Sequence, residues 1–443
     1  MKRLIAIGFG LSFTALAFGQ APDVADSQYV DLWQLQQEAH SADPRILRAQ
    51  ARIRSGEGRK REAFGQLLPQ LNATGSVNRS RRDDDLSRTE YNGKRAALAL
   101  NQKIYDPQSW RSYLKFSELA EQSQFESEDA RVQASIDLSE RYFAVLAAED
   151  ELSLVRSELQ ATRHNLKRAE RLYADQMVTI TDKLDIAARV DTLEADEIDA
   201  LNKVAITREA ISELIGRDVR EPFKRIAENP AFSLPAQTEA YWVQTALENN
   251  PALHAREHSI NAAEAAISEA KAGHLPRLGL NLSGQRSDIG YEGSLTPRSD
   301  NYIASLDLQI PLYSGGATSA RVAAFEGDKE AAQQDLEALR RQVVKETRTA
   351  YIGMAAGLSR IKATRRALES AEKSRQATEK AYQYSVKNAT DVLDSIRNEF
   401  RARRDLYQSQ YKFVTSMLVL HRWSGRLGEA DIRRANDWLV VPL

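Results

Sequence analysis

The sequence contains no cysteine. Disulfides, thiolate metal centres, cysteine nucleophiles and a cysteine-linked lipid anchor are all excluded by that absence. Histidine is scarce, with 6 in 443 residues. "HAREH" sets His254 and His258 at i, i+4, a spacing able to present two metal ligands, but no third ligand accompanies them. No glycine-rich phosphate loop with a lysine and no Ser/His/Asp arrangement stands out, so neither a nucleotide engine nor an enzyme is expected, and no cofactor. Charge of one sign is lacking too. The formal net charge is −1, which gives no case for nucleic-acid binding.

Long apolar runs are missing after the N-terminus. Lys2 and Arg3 precede an apolar run from Leu4 to about Phe18, followed by small residues. This reads as a secretory signal peptide over 1–19, since a membrane helix needs roughly 20 apolar residues. Any later membrane contact must come from β-strands or from protein partners.

Proline is absent from two long spans, between Pro107 and Pro222 and between Pro311 and Pro442. A proline in a helix interior costs about 3 kcal/mol, so these spans are free to be mostly helix. Heptads run through both. Leu152, Leu159, Leu166 and Tyr173 share one position, with Val155, Thr162 and Ala169 at another; Ile361, Leu368 and Tyr382 form the second seam, with Thr364 and Ala371 between.

What is present is an internal repeat. Pro44 and Pro251, and Pro69 and Pro276, are 207 positions apart; Tyr105 and Tyr313 are 208 apart. Tyr142 and Tyr351, Asp182 and Asp391, and Gly216 and Gly425 are each 209 apart. Ordered proline, glycine and tyrosine anchors do not come from composition, so the chain is two similar halves. The first covers 30–216 and the second 241–425. The proline-rich segment 217–240 connects them, and 426–443 is a tail.

Each half reads as helix, two strands and a long helical hairpin, a mainly α fold with a β part. Strands are expected at about 70–79 and 94–105, and at about 277–287 and 301–312, where apolar and polar residues alternate. The hairpins are expected at about 108–215 and 316–424. The segments between strands, 79–92 and 287–301, read as exposed polar loops; "RSRRDDD" from Arg79 to Asp85 belongs to the first. Each strand has about the ~10 residues a tilted membrane strand needs. A small soluble β-domain with one wet face shows the same alternation. Four membrane strands could not close a barrel, so several chains would have to share one; three would supply twelve strands.

Two acidic pairs occupy equivalent places in the hairpins, in "TITDKLD" and "KNATDVLDS". Asp182 and Asp391 each stand three residues after a capping residue, which is the pattern of a helix start. For Asp182 and Asp185 this cap explains the pair. Asp391 and Asp394 share one helix face, and a trimer would gather six such carboxylates around one axis.

The duplicated helix–strand–strand–helix–helix halves, the "LPQL" and "HLPRL" segments before each strand pair and "TDVLD" at the second hairpin turn resemble the TolC family of outer-membrane efflux and secretion channels. The resemblance covers essentially the whole chain after residue 19. It implies a homotrimer with a twelve-stranded β-barrel in the outer membrane of a Gram-negative bacterium and a long α-helical barrel in the periplasm. It implies an equatorial belt containing 217–240 and 426–443. It implies a periplasmic adaptor protein and an inner-membrane transporter of RND, ABC or MFS type as partners. Asp391 and Asp394 resemble the residues lining the narrow entrance. Tyr382, Lys387, Thr181 and Asp182 match the polar links that hold it shut, with Lys387 in place of the family's arginine. Gln176 and Ser385 stand where the family's turns carry glycine. The alternative from another class is a soluble periplasmic coiled-coil adaptor, which the strands and the duplication disfavour.

Overall fold

The computed structural model describes residues 29–83, 88–228, 230–289, 298–384 and 386–442. The expected signal peptide, Ser385 and the centres of both strand connections lie outside the described residues.

Each half begins with two helices rather than one. α1 (Leu32–Ala42) and α2 (Pro44–Gly65) meet at Asp43; α5 (Glu239–Asn249) and α6 (Pro251–Lys271) meet at Asn250. The sequence dictates the break. Asp43 and Asn250 each accept a hydrogen bond on the side chain from an N–H of the next helix, and Pro44 and Pro251 occupy its first turn. Proline fits there because that N–H has no intrahelical partner, whereas the residue before it is pushed out of the helical region.

Four strands follow in two pairs: β1 (Gln70–Asp83), β2 (Arg88–Tyr105), β4 (Arg277–Ile289) and β5 (Ser299–Gln309). They form one antiparallel sheet in the order β1-β2-β4-β5, so the two halves join edge to edge. The first pair reaches further than the charged sequence suggests. Segments 79–83 and 88–92, expected in a loop, are ladder residues, with Arg79 opposite Asn92 and Asp83 opposite Arg88. Alternate charges offset one another there: Arg79 pairs with Glu90 at 2.8 Å and Arg88 with Asp83 at 3.2 Å. Opposite charges across strands support a ladder that hydrophobicity alone does not signal. At the other end, 310–312 lie beyond β5.

The hairpins are long. α3 (Pro107–Ala174, 68 residues) returns as α4 (Ile180–Ile215), and α7 (Ala317–Gln383, 67 residues) as α8 (Ala389–Trp423). At 1.5 Å per residue α3 extends about 100 Å. Asp106 caps α3 and Pro107 opens it. The heptad seam packs as its spacing implies: Leu159, Thr162 and Ala169 are buried, as is Ile361 in the second hairpin. α4 ends at its cap Gly216 (φ 74°), and α8 at Ser424 followed by Gly425 (φ 66°), so a left-handed glycine stops the helix in both halves.

The main core sits midway, away from the sheet and the hairpin tips. Tyr142, Leu146, Ile211, Phe223, Met354, Phe413, Leu418 and Ile432 are buried together there. The connector and the tail are pinned to each other over this core. β3 (Arg225–Ile226) pairs with β6 (Leu439–Val440), and α9 (Glu429–Asn436) docks on α1 through Asn436, which accepts from Trp33 N–H at 3.1 Å. Asp150 is buried beneath, bonded to Arg225 at 2.9 Å and to the Tyr411 hydroxyl. Burial pushes its carboxyl above the ordinary aspartate value, against the pull of Tyr411 and Arg225.

Candidate functional site

Two features of the molecule stand out: the faces of the sheet and the tips of the hairpins.

Register divides the sheet into an apolar and a polar face. Directly opposed residues in an antiparallel ladder point the same way. One row reads Leu71, Leu100, Leu282, Ala304 across the four strands; the next reads Ala73, Leu98, Gly284, Tyr302. Leu280 with Leu306 and Leu278 with Leu308 extend the same face. On the opposite face the rows are Gln70, Asn101, Asn281, Ser305 and Asn72, Ala99, Ser283, Ile303. The apolar side is uncovered: Leu71, Leu306 and Leu308 are more than 60 % exposed and Tyr302 is 80 % exposed. A sheet with leucines bare on one side and amides and hydroxyls on the other suits a lipid exterior and a wet interior. The apolar band ends at Arg286 and Asp300, paired at 2.7 Å.

At the hairpin tips each acidic pair begins a helix. Thr179 Oγ1 accepts from Asp182 N–H at 3.2 Å while Asp182 Oδ2 accepts from Thr179 N–H at 3.1 Å. Asn388 and Asp391 make the equivalent capping box, at 2.8 and 3.3 Å. The sequence pattern dictates this reciprocal arrangement, which satisfies two orphan N–H groups at each helix start. Capping uses only one oxygen of Asp391. The other lies 3.4 Å from Lys387 Nζ. Asp394 takes no part in the cap and faces solvent, paired with Arg397 at 2.7 Å.

The structure brings part of the expected closing set together within one chain. Tyr382 packs with Leu393 on Ala169 and Ile186 of the first hairpin, and Arg168 lies 4.9 Å above its ring. Burial pushes the Tyr382 hydroxyl above its ordinary pKa; Arg168 opposes this and the Asp182 carboxylate adds to it. The Tyr382 hydroxyl therefore lies within electrostatic reach of Asp182. Lys387 turns to its own Asp391, and Thr181 bonds Thr179 at 2.7 Å. Gln176 adopts φ 60°, the left-handed region that a glycine would enter freely. Arg168 and Arg397 were not singled out from sequence. Arg397 was legible as the i+3 neighbour of Asp394; Arg168 was not, because its contact crosses between halves.

His254 and His258 flank Phe125, with ring centroids 5.2 and 5.3 Å away, and bond Glu257 and Glu118 separately. No group of three or more acidic or histidine side chains among the described residues could hold a metal. No helix among the described residues is long and apolar enough to cross a membrane.

The chain matches the family model described as outer membrane efflux protein twice, over residues 35–217 and 242–426, one match per half. It is 28 % identical to outer membrane protein TolC of Vibrio cholerae across all of this chain and 99 % of that one. It is 27 % identical to TolC of Escherichia coli, over all of this chain and 90 % of that one. Alkaline protease secretion protein AprF of Pseudomonas aeruginosa is 27 % identical over 86 % of this chain and 82 % of its own. Among solved structures, a Campylobacter jejuni CmeC outer membrane channel superposes with a TM-score of 0.80 at 14 % identity, covering 99 % of this chain and 98 % of its own. A CusC structure gives 0.79 at 17 % identity, covering 93 % and 96 %. With a double match over most of its length, the chain belongs to the outer membrane efflux protein family and is a non-enzymatic outer-membrane efflux or secretion channel of the TolC type.

Proposed function

We propose that the protein is a homotrimeric exit duct, whose helical hairpins project into the periplasm and whose entrance is gated at the hairpin tips. The observation that carries the reading is the two-faced sheet with β1 and β5 as its outer strands. Open edges are not tolerated in lipid, so copies must join β5 of one chain to β1 of the next. Three copies make a closed barrel of twelve strands, lipid-facing on the leucine rows and water-filled on the amide rows.

The same symmetry gathers Asp391 and Asp394 of three chains at the far end of the duct. We assign them to the aperture, where a ring of carboxylates favours cations and offers multivalent cations a binding site. Tyr382, Lys387, Thr181 and Asp182 form the closing set. The contact of Tyr382 with Arg168, Ala169 and Ile186 supports a shut resting arrangement in which the second hairpin leans on the first. The belt of β3, β6, α1 and α9 ties connector and tail around the waist. A periplasmic adaptor and an energised inner-membrane transporter of RND, ABC or MFS type would dock at the tips and spread them.

The test is extraction from outer-membrane fractions in mild detergent, followed by native mass spectrometry and planar-bilayer recording. Three chains per particle and ion conductance are expected. Recovery as a non-conducting monomer in the soluble periplasm would contradict the reading.

A further inference from the structure

The two hairpins lie side by side, with α3 against both α4 and α8, and α7 against α8. α4 and α7 are therefore their outer helices, as β1 and β5 are the outer strands of the sheet. The seam inside the chain, α3 on α8, is antiparallel. Phe143 meets Tyr411 with ring centroids 5.7 Å apart, and Glu151 pairs with Arg404 at 3.0 Å. α3 brings acids to this seam: Asp150 and Glu151, with Asp129 and Glu140 nearer the sheet. α8 brings bases, Arg404 and Arg422.

The repeat makes this seam a template. α7 repeats α3 and α8 repeats α4 at a spacing of 209, as Tyr142 with Tyr351 and Asp182 with Asp391 show. The same shift puts Ile352 in the place of Phe143 and Asn202 in the place of Tyr411. These two stand on opposite outer helices, and Ile352 is 58 % exposed where Phe143 is buried. Arg360 takes the place of Glu151, and Ala195 that of Arg404. The stripe of α7 that carries Ile352 holds Arg341, Lys345 and Arg360, all exposed, and no acid between them. The stripe of α4 that carries Asn202 holds Asp191, Asp199, Glu209 and Glu213, all exposed, and no base. Arg341 and Lys345 are held only by Glu337 and Glu346 of their own helix, and Glu213 by Arg141. Arg360, Asp191, Asp199 and Glu209 have no ion pair among the described residues.

We propose that α7 of one copy docks on α4 of the next along these stripes, antiparallel and in the register of α3 on α8. The inference rests on the trimeric reading above, because the seam continues the joint of β5 to β1 into the helices. Ile352 comes to lie over Asn202 and beside Ile206, itself 61 % exposed. Arg360 falls over Ala195, with Asp191 and Asp199 one turn to either side. Towards the sheet, the same register brings Lys345 to Glu209 and Arg341 to Glu213. Each such pair contributes little alone, but the row selects partner and register. Its polarity is the reverse of the seam inside the chain. α4 in the place of α8 would set acids on the acidic side of α3, and α8 in the place of α4 would set Arg404 on the bases of α7. The reversal thus excludes the wrong helix at each seam.

The chain has no cysteine, so an introduced pair is the only one present. The test treats outer-membrane fractions of the full chain carrying Ile352→Cys and Asn202→Cys with a short bis-maleimide cross-linker. Covalent dimers and trimers on a denaturing gel are expected. Glu151→Cys with Arg404→Cys, a pair within one chain, is expected to stay at monomer size. A second measurement reads the charges. Arg360→Glu sets an acid between Asp191 and Asp199 and is expected to lower the temperature at which the detergent-purified trimer dissociates. Asp191→Arg with Asp199→Arg in the same chain is expected to restore it. A conducting trimer that gives no covalent oligomer from the Ile352 and Asn202 pair would overturn the seam. So would a cross-linked band holding another protein in place of a second copy, or an Arg360→Glu trimer that dissociates at the wild-type temperature. Absence of trimer and conductance in the wild type removes the duct itself.

Discussion

Asp394 and Arg397 meet at 2.7 Å on the exposed face of α8, less than one turn apart. Asp391 has its own cation, Lys387, at 3.4 Å. Each acid proposed for the aperture thus travels with a base from its own segment, and the ring's field is set by both signs. Exposed pairs of this kind contribute little to stability. Their consequence is for ions passing close by, where a local charge acts over less than a Debye length of ~10 Å.

Replacing Arg397 with glutamine leaves Asp394 uncompensated. Cation preference, measured as the reversal potential under a salt gradient, is expected to rise. Block by a trivalent cation should strengthen with it. An unchanged reversal potential would mean that Arg397 stands away from the conduction path.

The two left-handed glycines make a paired comparison. Gly216→Ala forces alanine to φ 74° with nothing within 4 Å of the new Cβ, so only backbone strain of about 1–2 kcal/mol is expected. Gly425→Ala adds a collision, because its Cβ would lie 2.1 Å from the Asn249 carbonyl oxygen. Thermal unfolding of the purified protein should show a much larger loss for Gly425→Ala than for Gly216→Ala.

Asp43 gives a pH signature. Burial alone would raise its carboxyl, but hydrogen bonds from the Arg45 side chain and backbone N–H outweigh this and hold it below the ordinary 3.8. A lowered folded value means that the contribution is complete above 3.8 and disappears as pH falls through the folded value. Asn at this position can still cap α2, as Asn250 caps α6. Asp43→Asn is therefore expected to cost on the order of 1 kcal/mol at pH 7, allowing for the partly exposed Arg45, and progressively less as the pH falls below 3.8 towards the folded value. Melting curves of both proteins over a descending pH series check this.

The faces of the sheet should respond oppositely to one substitution. Leu306→Arg places a charge near the middle of the apolar band, at a cost of roughly 2–4 kcal/mol, and outer-membrane yield should fall. Ser305→Arg, one residue away on the polar face, should insert normally and shift single-channel conductance. Equal yields would argue that the leucine rows do not face lipid.

Much of this architecture was legible because duplication marks it with residues that have backbone duties. Pro44 and Pro251 start helices, and Gly216 and Gly425 end them; each pair is fixed by a local physical requirement that survives sequence drift. The hairpins followed from missing prolines and heptads, and the strands from period-two leucines. The charged ends of β1 and β2 were not legible. Their ladder depends on pairings such as Arg79 with Glu90, which mimic a loop in one-dimensional hydropathy. The break between α1 and α2 was written in Asp43-Pro44, yet its tertiary role needs the tail to cover α1. The Asp150–Arg225–Tyr411 cluster joins groups up to 261 residues apart, and no local pattern announces it. At the tips, the capping boxes were readable from spacing alone. The stacking of Arg168 on Tyr382 was not, because it depends on how the two hairpins lie against each other.

The most direct measurement of the central claim is the bilayer reversal potential of wild type against Asp391→Asn with Asp394→Asn. Asparagine keeps a capping side chain at position 391 while removing the charge of both. The account predicts a conducting channel whose selectivity moves from cations towards anions in the double variant, because Lys387 and Arg397 are left alone at the aperture. The same selectivity and the same trivalent-cation block in both proteins would contradict it.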